Sequence, residues 1–328
     1  MSLKRWQFTM ESYFLWPKPS SNLSSFIFGS KVCASDIEAE LATLYPDAVP
    51  VLFSSARSGL TAILQMLDIF RTDICWCPPY SSHCVLESIA RHATPSTTEI
   101  EHAKIALIYH QWGFVHRHDG LQPCTTVIED AVDTLFVPGT NPFACKGRFV
   151  LWSLPKVIAT FWGGVVFCRN DEDAQRLRGI REDRLKFRTI QALLRIAGNH
   201  SEMAGIYWHG TESLNGSLPD FALRQIKAHL NSIPKLVQSK IRLLKGLQSA
   251  VNIIFPVDAG RLPSNIPVQV ANCSIKWWGS ESTFSAGLRS MNLTCDYSKN
   301  GWERVAPLPV HQDISSSLLK SVFGTQFE

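Results

Sequence analysis

Phe149-Val150-Leu151-Trp152-Ser153-Leu154-Pro155-Lys156, followed a few residues later by Gly163-Gly164, is the stretch that decides the fold. Its first part is an apolar run of buried-strand length, and Gly164 to Cys168 is a second, so the two read as a strand pair around a turn. A lysine stands where the first run ends. Such a lysine either snorkels its amine to water along its stem or stays desolvated. A desolvated amine sheds its proton more readily and becomes a usable nucleophile.

The same alternation extends towards the N-terminus. Val49 to Phe53 reads as a strand followed by a helix over Ser58 to Phe70, and Ile74 to Cys77 as a short strand followed by a helix over Ser82 to His92. Lys104 to Tyr109 and Thr125 to Ile128 are two further buried strands. Strands alternating with helices predict a mainly parallel sheet covered on both faces. Beyond it, Asp171 to Arg181 and Phe187 to Ala197 look helical, and Asn199 to Leu218 is rich in Gly, Ser and Asn. A helical pattern runs from Phe221 to about Val251, interrupted near Pro234; it is either a bridge between two domains or a kinked helix within one. Strand-like Ile266 to Ala271 and a closing helix Ile314 to Phe323 suggest a smaller α+β unit, so the expected division is a large domain over 1–230 and a small one over 231–328.

The chain has 328 residues, 45% of them hydrophobic and 18% charged, which is enough to bury a sizeable core. A formal charge of +4 is too small for the footprint of a dedicated nucleic-acid binder. The nine cysteines form no CxxC pair, and most lie in apolar strings, so a reduced, cytoplasmic interior is expected and no metal site. Met1 to Arg5 lacks the apolar core of a signal peptide, and no run approaches the ~20 apolar residues that a membrane span needs.

In open α/β sheets, ligands settle at the carboxyl ends of the strands. Three polar groups follow apolar runs there. Ser54-Ser55-Ala56-Arg57-Ser58-Gly59 opens a helix; it is either an anion site, built from backbone N–H groups with hydroxyls from Ser54, Ser55 or Ser58, or a plain serine cap. Glu129-Asp130 closes a buried strand and needs a partner, which is a helix start, an arginine or the protonated nitrogen of a pyridine ring. Lys156 is the third. The order phosphate-type loop, strand-end Asp, strand-end Lys is the layout expected for pyridoxal 5'-phosphate.

These residues resemble the DegT family of pyridoxal-phosphate-dependent sugar aminotransferases, of the aspartate-aminotransferase-like fold (fold type I). Ser55 to Leu60 is similar to its SGTxAL loop, Pro78-Pro79-Tyr80-Ser81 to P-x-Y-T, and Val127 to Ala131 to IEDAA. Ser153 to Lys156 with Gly163-Gly164 resembles the S-F-x-x-x-K segment and GEGG, and Leu308-Pro309-Val310-His311 the LPxH terminus. The resemblance implies a large domain with a mostly parallel mixed sheet flanked by helices, and a smaller C-terminal α+β domain. It implies a Schiff base of the cofactor on Lys156, which also acts as general base and acid, and Asp130 on the pyridinium proton. By the same resemblance Ala56, Arg57 and Ser153 cradle the phosphate, Val132 packs beneath the ring, and either Tyr80 or His83 stacks on it.

The reaction so implied moves an amino group, with glutamate as the expected donor, onto a keto-sugar or nucleotide-linked keto-sugar in a homodimer with shared active sites. Dehydration, decarboxylation or racemisation on the same cofactor, or a non-catalytic scaffold, are the competing readings. Three positions depart from the pattern. Asp133 stands where the family has a Gln facing the cofactor's phenolic oxygen, Trp162 replaces the glutamate of GEGG, and no Asn-x-Arg is recognisable in Ser213 to Asp220. An acidic Asp133 would repel a phenolate unless protonated or turned away.

Several other residues draw attention. His110-Gln111-Trp112-Gly113 lines the pocket or forms a structural loop, and His116-Arg117-His118-Asp119 reads as a solvated turn. Tyr207, Trp208 and His209 read as a packing cluster, and Lys235, Lys240, Arg242 and Lys245 as one solvated helix face.

Overall fold

A computed structural model describes residues 16, 17, 19, 30–118, 120–183, 216–250, 257–269 and 305–314. The expected helices at Phe187–Ala197 and Ile314–Phe323, the Tyr207-Trp208-His209 cluster and most of the Asn199–Leu218 segment lie outside these residues.

Helix α1 (Ala34–Leu44) leads into β1 (Val49–Phe53), and α2 (Ala56–Met66) follows at once. β2 (Ile74–Trp76), α3 (His83–Ala90), β3 (Thr94–Ser96), β4 (Ile105–Tyr109) and β5 (Thr126–Asp130) come next. β6 (Thr134–Phe136) precedes β7 (Phe149–Ser153), α4 (Leu154–Ile158), β8 (Gly164–Cys168) and α5 (Asp171–Asp183). The described part closes with α6 (Asp220–Leu230), α7 (Ile233–Ala250), β9 (Arg261–Pro263), β10 (Asn265–Gln269) and β11 (Val305–Pro309).

Seven strands form one sheet in the order β1-β8-β7-β5-β4-β2-β3. β7, β5, β4, β2 and β3 pair in parallel, whereas β8 runs antiparallel to both of its neighbours, β1 and β7. The sheet is therefore mixed but mostly parallel, as the alternation predicts. Its strands are buried on both faces, and the side chains alternate between two cores. Val150, Trp152, Val165 and Phe167 join Ile37, Leu41, Tyr45 and Phe136 on one face. Phe149, Leu151, Val166 and Cys168 join Leu60, Ile63 and Leu107 on the other. On the first face Tyr45, Phe136, Trp152 and Phe167 pack with ring centroids 5.5–6.0 Å apart. Burial of each such side chain contributes roughly 1.5–3 kcal/mol.

Register brings the functional ends of the chain together. Tyr109 lies opposite Asp130 and Asp130 opposite Leu151, while Ser153 and Phe53 both face Gly164. β1, β4, β5 and β7 thus end along one edge of the sheet, where α2 and α4 begin. Two glycines permit the close fit. A Cβ on Gly59 would lie 2.6 Å from Val166 Cγ2, so α2 packs directly on β8. A Cβ on Gly164 would fall 2.0 Å from the Ala56 nitrogen, so the start of β8 lies against the backbone that opens α2.

Three expectations need correction. The connection between β7 and β8 is not a bare turn but carries α4, which ends at Ala159 in the left-handed region (φ 60°). The long helical pattern is two helices, separated at Asn231–Ser232, with Pro234 tolerated in the first turn of α7. Lys235, Arg242 and Lys245 are exposed on α7, but Lys240 is 8% exposed and shares the buried face with Ile233, Val237, Leu244 and Leu247. Those positions advance by four and three residues in turn, which is the period of one helix face. Among the described residues no helix is long and apolar enough to cross a membrane, and the seven described cysteines are free.

Candidate active site

Lys156 sits in the first turn of α4, immediately beyond the end of β7. Its ammonium lies 3.0 Å from Asp133 Oδ1, with 28% of the side chain exposed against 1% for Asp133. The Trp16 ring lies under the same ammonium, its centroid 4.6 Å away, and the indole N–H donates to Asp133 Oδ1 at 3.2 Å. Tyr109, the last residue of β4, donates its hydroxyl to Asp133 Oδ2. Burial, and then the negative charge of Asp133, push the Tyr109 phenol well above its ordinary range, so it keeps its proton and remains a donor. Asp133 is therefore not turned away as a solvated acid would be. It is the hub of the site.

Asp130 ends β5 and is 3% exposed. Among the described residues its carboxylate accepts one hydrogen bond, from Val132 N–H at 3.2 Å. Burial raises its pKa to about 7, the positive charge of Lys156 opposes that rise, and Asp133 adds to it. A buried carboxylate with so little support is costly unless a cation or donor faces it. Val132, beside it, is buried.

The loop after β1 supplies the opposite wall. Ser55 caps α2, its Oγ accepting Ser58 N–H at 3.1 Å, and both serines are buried. The amides ahead of Ser58 have no carbonyl one turn back to bond, and this helix start favours an anion. Gly163 N–H donates to Ser54 O at 2.9 Å and Leu154 N–H to Gly163 O at 3.1 Å, which ties the starts of α2, α4 and β8 into one rim. Ser153 caps α4 without lending its hydroxyl to the helix. Arg57 is half-buried over α3; burial lowers its pKa, Cys84 and Glu87 raise it, and Arg91 lowers it. Of the two stacking candidates, Tyr80 is buried 5.9 Å from the Tyr109 ring and hydrogen-bonds His116 Nδ1 at 2.8 Å. His83 is exposed at the start of α3.

The histidines belong to a separate arrangement. His110 Nε2 lies 2.9 Å from Glu129 Oε2, both fully buried, and His116 N–H donates to His110 Nδ1 at 3.1 Å. That fixes His110 as the neutral tautomer with its proton on Nε2. Glu129 also accepts the amides of Ala144, Cys145 and Gly147 at 2.9–3.0 Å. Burial pushes the Glu129 carboxyl up, but His110, the Ala144 amide and the charge of Arg261 outweigh it and hold it below its usual range. Cys145 completes a group of three possible ligands with His110 and Glu129, yet the ring nitrogens and both carboxylate oxygens are already engaged. His116 is itself buried, at 3% exposure, so the expected solvated turn is corrected there.

Sequence reasoning missed Tyr109 and Trp16. Tyr109 is the last residue of an apolar run, where a search of strand ends finds it. Nothing in the pattern around Trp16 marks it.

An amine and two carboxylates at the carboxyl edge of a mostly parallel sheet, beside a helix start that favours anions, match a pyridoxal-phosphate enzyme of fold type I. The residues fit that group. Asp130 lacks the cation that a pyridinium supplies, Lys156 offers the amine, and Gly164 lets the phosphate-side backbone close up. Residues 37–324 match the family described as "Putative PLP-dependent aminotransferase", and the chain belongs to that family of pyridoxal-phosphate-dependent aminotransferases. No curated protein matches the sequence. Among solved structures, "Putative sugar aminotransferase Spr1654" from Streptococcus pneumoniae in its PLP form is similar over 97% of this chain and 98% of its own, at 13% identity and TM-score 0.64. Helicobacter pylori PseC, an aminotransferase involved in the biosynthesis of pseudoaminic acid, is similar over 97% and 99%, at 11% identity and TM-score 0.63. DesI, solved in the presence of its TDP-sugar product, covers 88% of this chain and 82% of its own, at 14% identity and TM-score 0.57.

Proposed function

We propose that this aminotransferase moves an amino group from an amino-acid donor, glutamate first among the candidates, to a keto group on a sugar or nucleotide-linked sugar. The observation that carries the reading is the shared edge at which the Lys156 amine meets Asp133 and the under-supported Asp130. The similar structures of a putative sugar aminotransferase and of DesI with its TDP-sugar product support the sugar half of it. Bound pyridoxal phosphate supplies an electron sink for the bonds of the substrate's amino-bearing carbon.

The chain's own residues divide the remaining work. Lys156 would hold the cofactor through its side-chain amine, and the same amine, when free, would move the substrate's proton as base and then acid. Asp130 holds the proton on the ring nitrogen, and that positive charge draws the carboxyl back towards its ionised form. The start of α2, with Ser55, Ala56, Arg57, Ser58 and Ser153, receives the phosphate. Val132 supports the ring from beneath, and Tyr80 or His83 covers it. Trp16 lies against Lys156 and limits the water that reaches it.

The same reading takes the chain as a homodimer with shared sites, placed in the cytoplasm and divided near residue 230. Family resemblance supports the dimer, and free cysteines among the described residues agree with a reducing compartment. The test is a single-turnover assay. Glutamate added to the loaded protein should bleach its visible band and release 2-oxoglutarate, and a keto-sugar should restore the band. A band that no amino donor alters would contradict transamination.

A further inference from the structure

Asp133 accepts from Lys156 and Trp16 on one oxygen and from Tyr109 on the other. Lys156 and Trp16 can only donate, and Tyr109 directs its hydroxyl proton to the other oxygen. The carboxylate thus faces one cation and two further donors, which is the setting of a counter-ion. Its charge is 3.0 Å from the nitrogen that carries the cofactor.

We infer that Asp133 is a positioning residue that keeps the loaded Lys156 nitrogen protonated, and that Tyr109 moderates how strongly it does so. The inference rests on the cofactor being bound to Lys156. A protonated Schiff-base carbon is the more electrophilic one, so the counter-ion keeps the site open to an incoming donor amine at a pH where a neutral nitrogen would have closed it. The other groups facing Lys156 are Asp130 at the end of β5, the Tyr109 hydroxyl from β4 and the Trp16 ring. Lys240, on the buried face of α7, is the further cation that Asp133 acts on, drawing its proton affinity up. Tyr109 draws off part of the carboxylate's charge through its hydrogen bond.

The two residues therefore predict shifts of opposite sign. The readout is the pH midpoint at which the visible band of the loaded protein changes, measured without substrate. Asp133→Asn keeps the size and removes the charge, and its midpoint should fall by about one to three pH units. Tyr109→Phe leaves the carboxylate unmoderated, and its midpoint should rise by less. If Asp133→Asn does not fold, the upward shift in Tyr109→Phe decides alone. Midpoints that match the unmodified protein in the variants that fold, with the band intact and lost in Lys156→Ala, would overturn the counter-ion while leaving the cofactor on Lys156. A band that survives Lys156→Ala would overturn both.

Discussion

Glu129 and Asp130 are neighbours on β5, equally buried, and face opposite sides of the strand. Glu129 is fully provided for by the neutral imidazole of His110 and three loop amides, and its carboxyl is held low. Asp130 has one backbone hydrogen bond, and its carboxyl is pushed up to about 7. A satisfied acid stabilises the fold, whereas a deprived one is complete only when a ligand arrives. That contrast separates framework from chemistry in a pair that the sequence writes as one dipeptide.

The contrast breaks most visibly at Glu129. Glu129→Gln takes the charge from a nest of amides and leaves a poorly matched side chain, which should cost about 3–5 kcal/mol in chemical denaturation. The cofactor absorption of whatever protein remains folded should not change. A loss of absorption with unchanged stability would reverse the two assignments.

Asp130→Asn should behave in the opposite way. The loaded protein should keep its cofactor and turn over about 100-fold more slowly, and near-normal turnover would remove the ring-nitrogen role. Ligand-free stability offers a second reading. Asp130 has a folded pKa above its unfolded one, so its contribution is most favourable below pH 3.8 and is lost as pH rises to about 7. Ligand-free Asp130→Asn should therefore be more stable than the parent at pH 8, by up to about 4 kcal/mol, with the difference vanishing towards pH 4. Equal stability at both pH values would show that Asp130 is better supported than its single hydrogen bond implies.

A smaller effect is expected at Lys240, whose amine is depressed to about 7 by burial and partly restored by Asp133. Its stability penalty grows as pH falls from 10.5 to about 7. Lys240→Met should stabilise the fold at pH 6 by on the order of 1–3 kcal/mol, read by chemical denaturation, and change little at pH 10. A destabilised variant at pH 6 would give Lys240 an ionic partner in the folded state.

The long strands were legible in the sequence because a strand buried on both faces is an unbroken apolar run, whichever way it pairs, and β1, β4, β7 and β8 lie within a residue or so of their expected bounds. β3, β6 and β9, of three residues each, are too short to leave a pattern. α1 was not read at all, for its buried face mixes Ile37 and Leu41 with Glu38, which pairs with Arg178 at 2.8 Å and is itself 5% exposed. In the site, strand ends pointed to Asp130 and Lys156. The partner of Asp133 depends on how α4 turns its first residues back over the β5–β6 turn, which no spacing records. Lys240 was legible and misread: charge suggested a solvated face, while the four-and-three spacing placed it among the apolar residues.

Lys156 is half-buried in the site and Lys240 is a second lysine with a depressed amine, so the most direct measurement is where the cofactor binds. Loaded protein reduced with borohydride carries the pyridoxyl group as a stable secondary amine, which peptide mass spectrometry can locate. The label should lie on Lys156 alone and vanish in Lys156→Ala. A label on Lys240, or an unchanged yield without Lys156, would contradict the account.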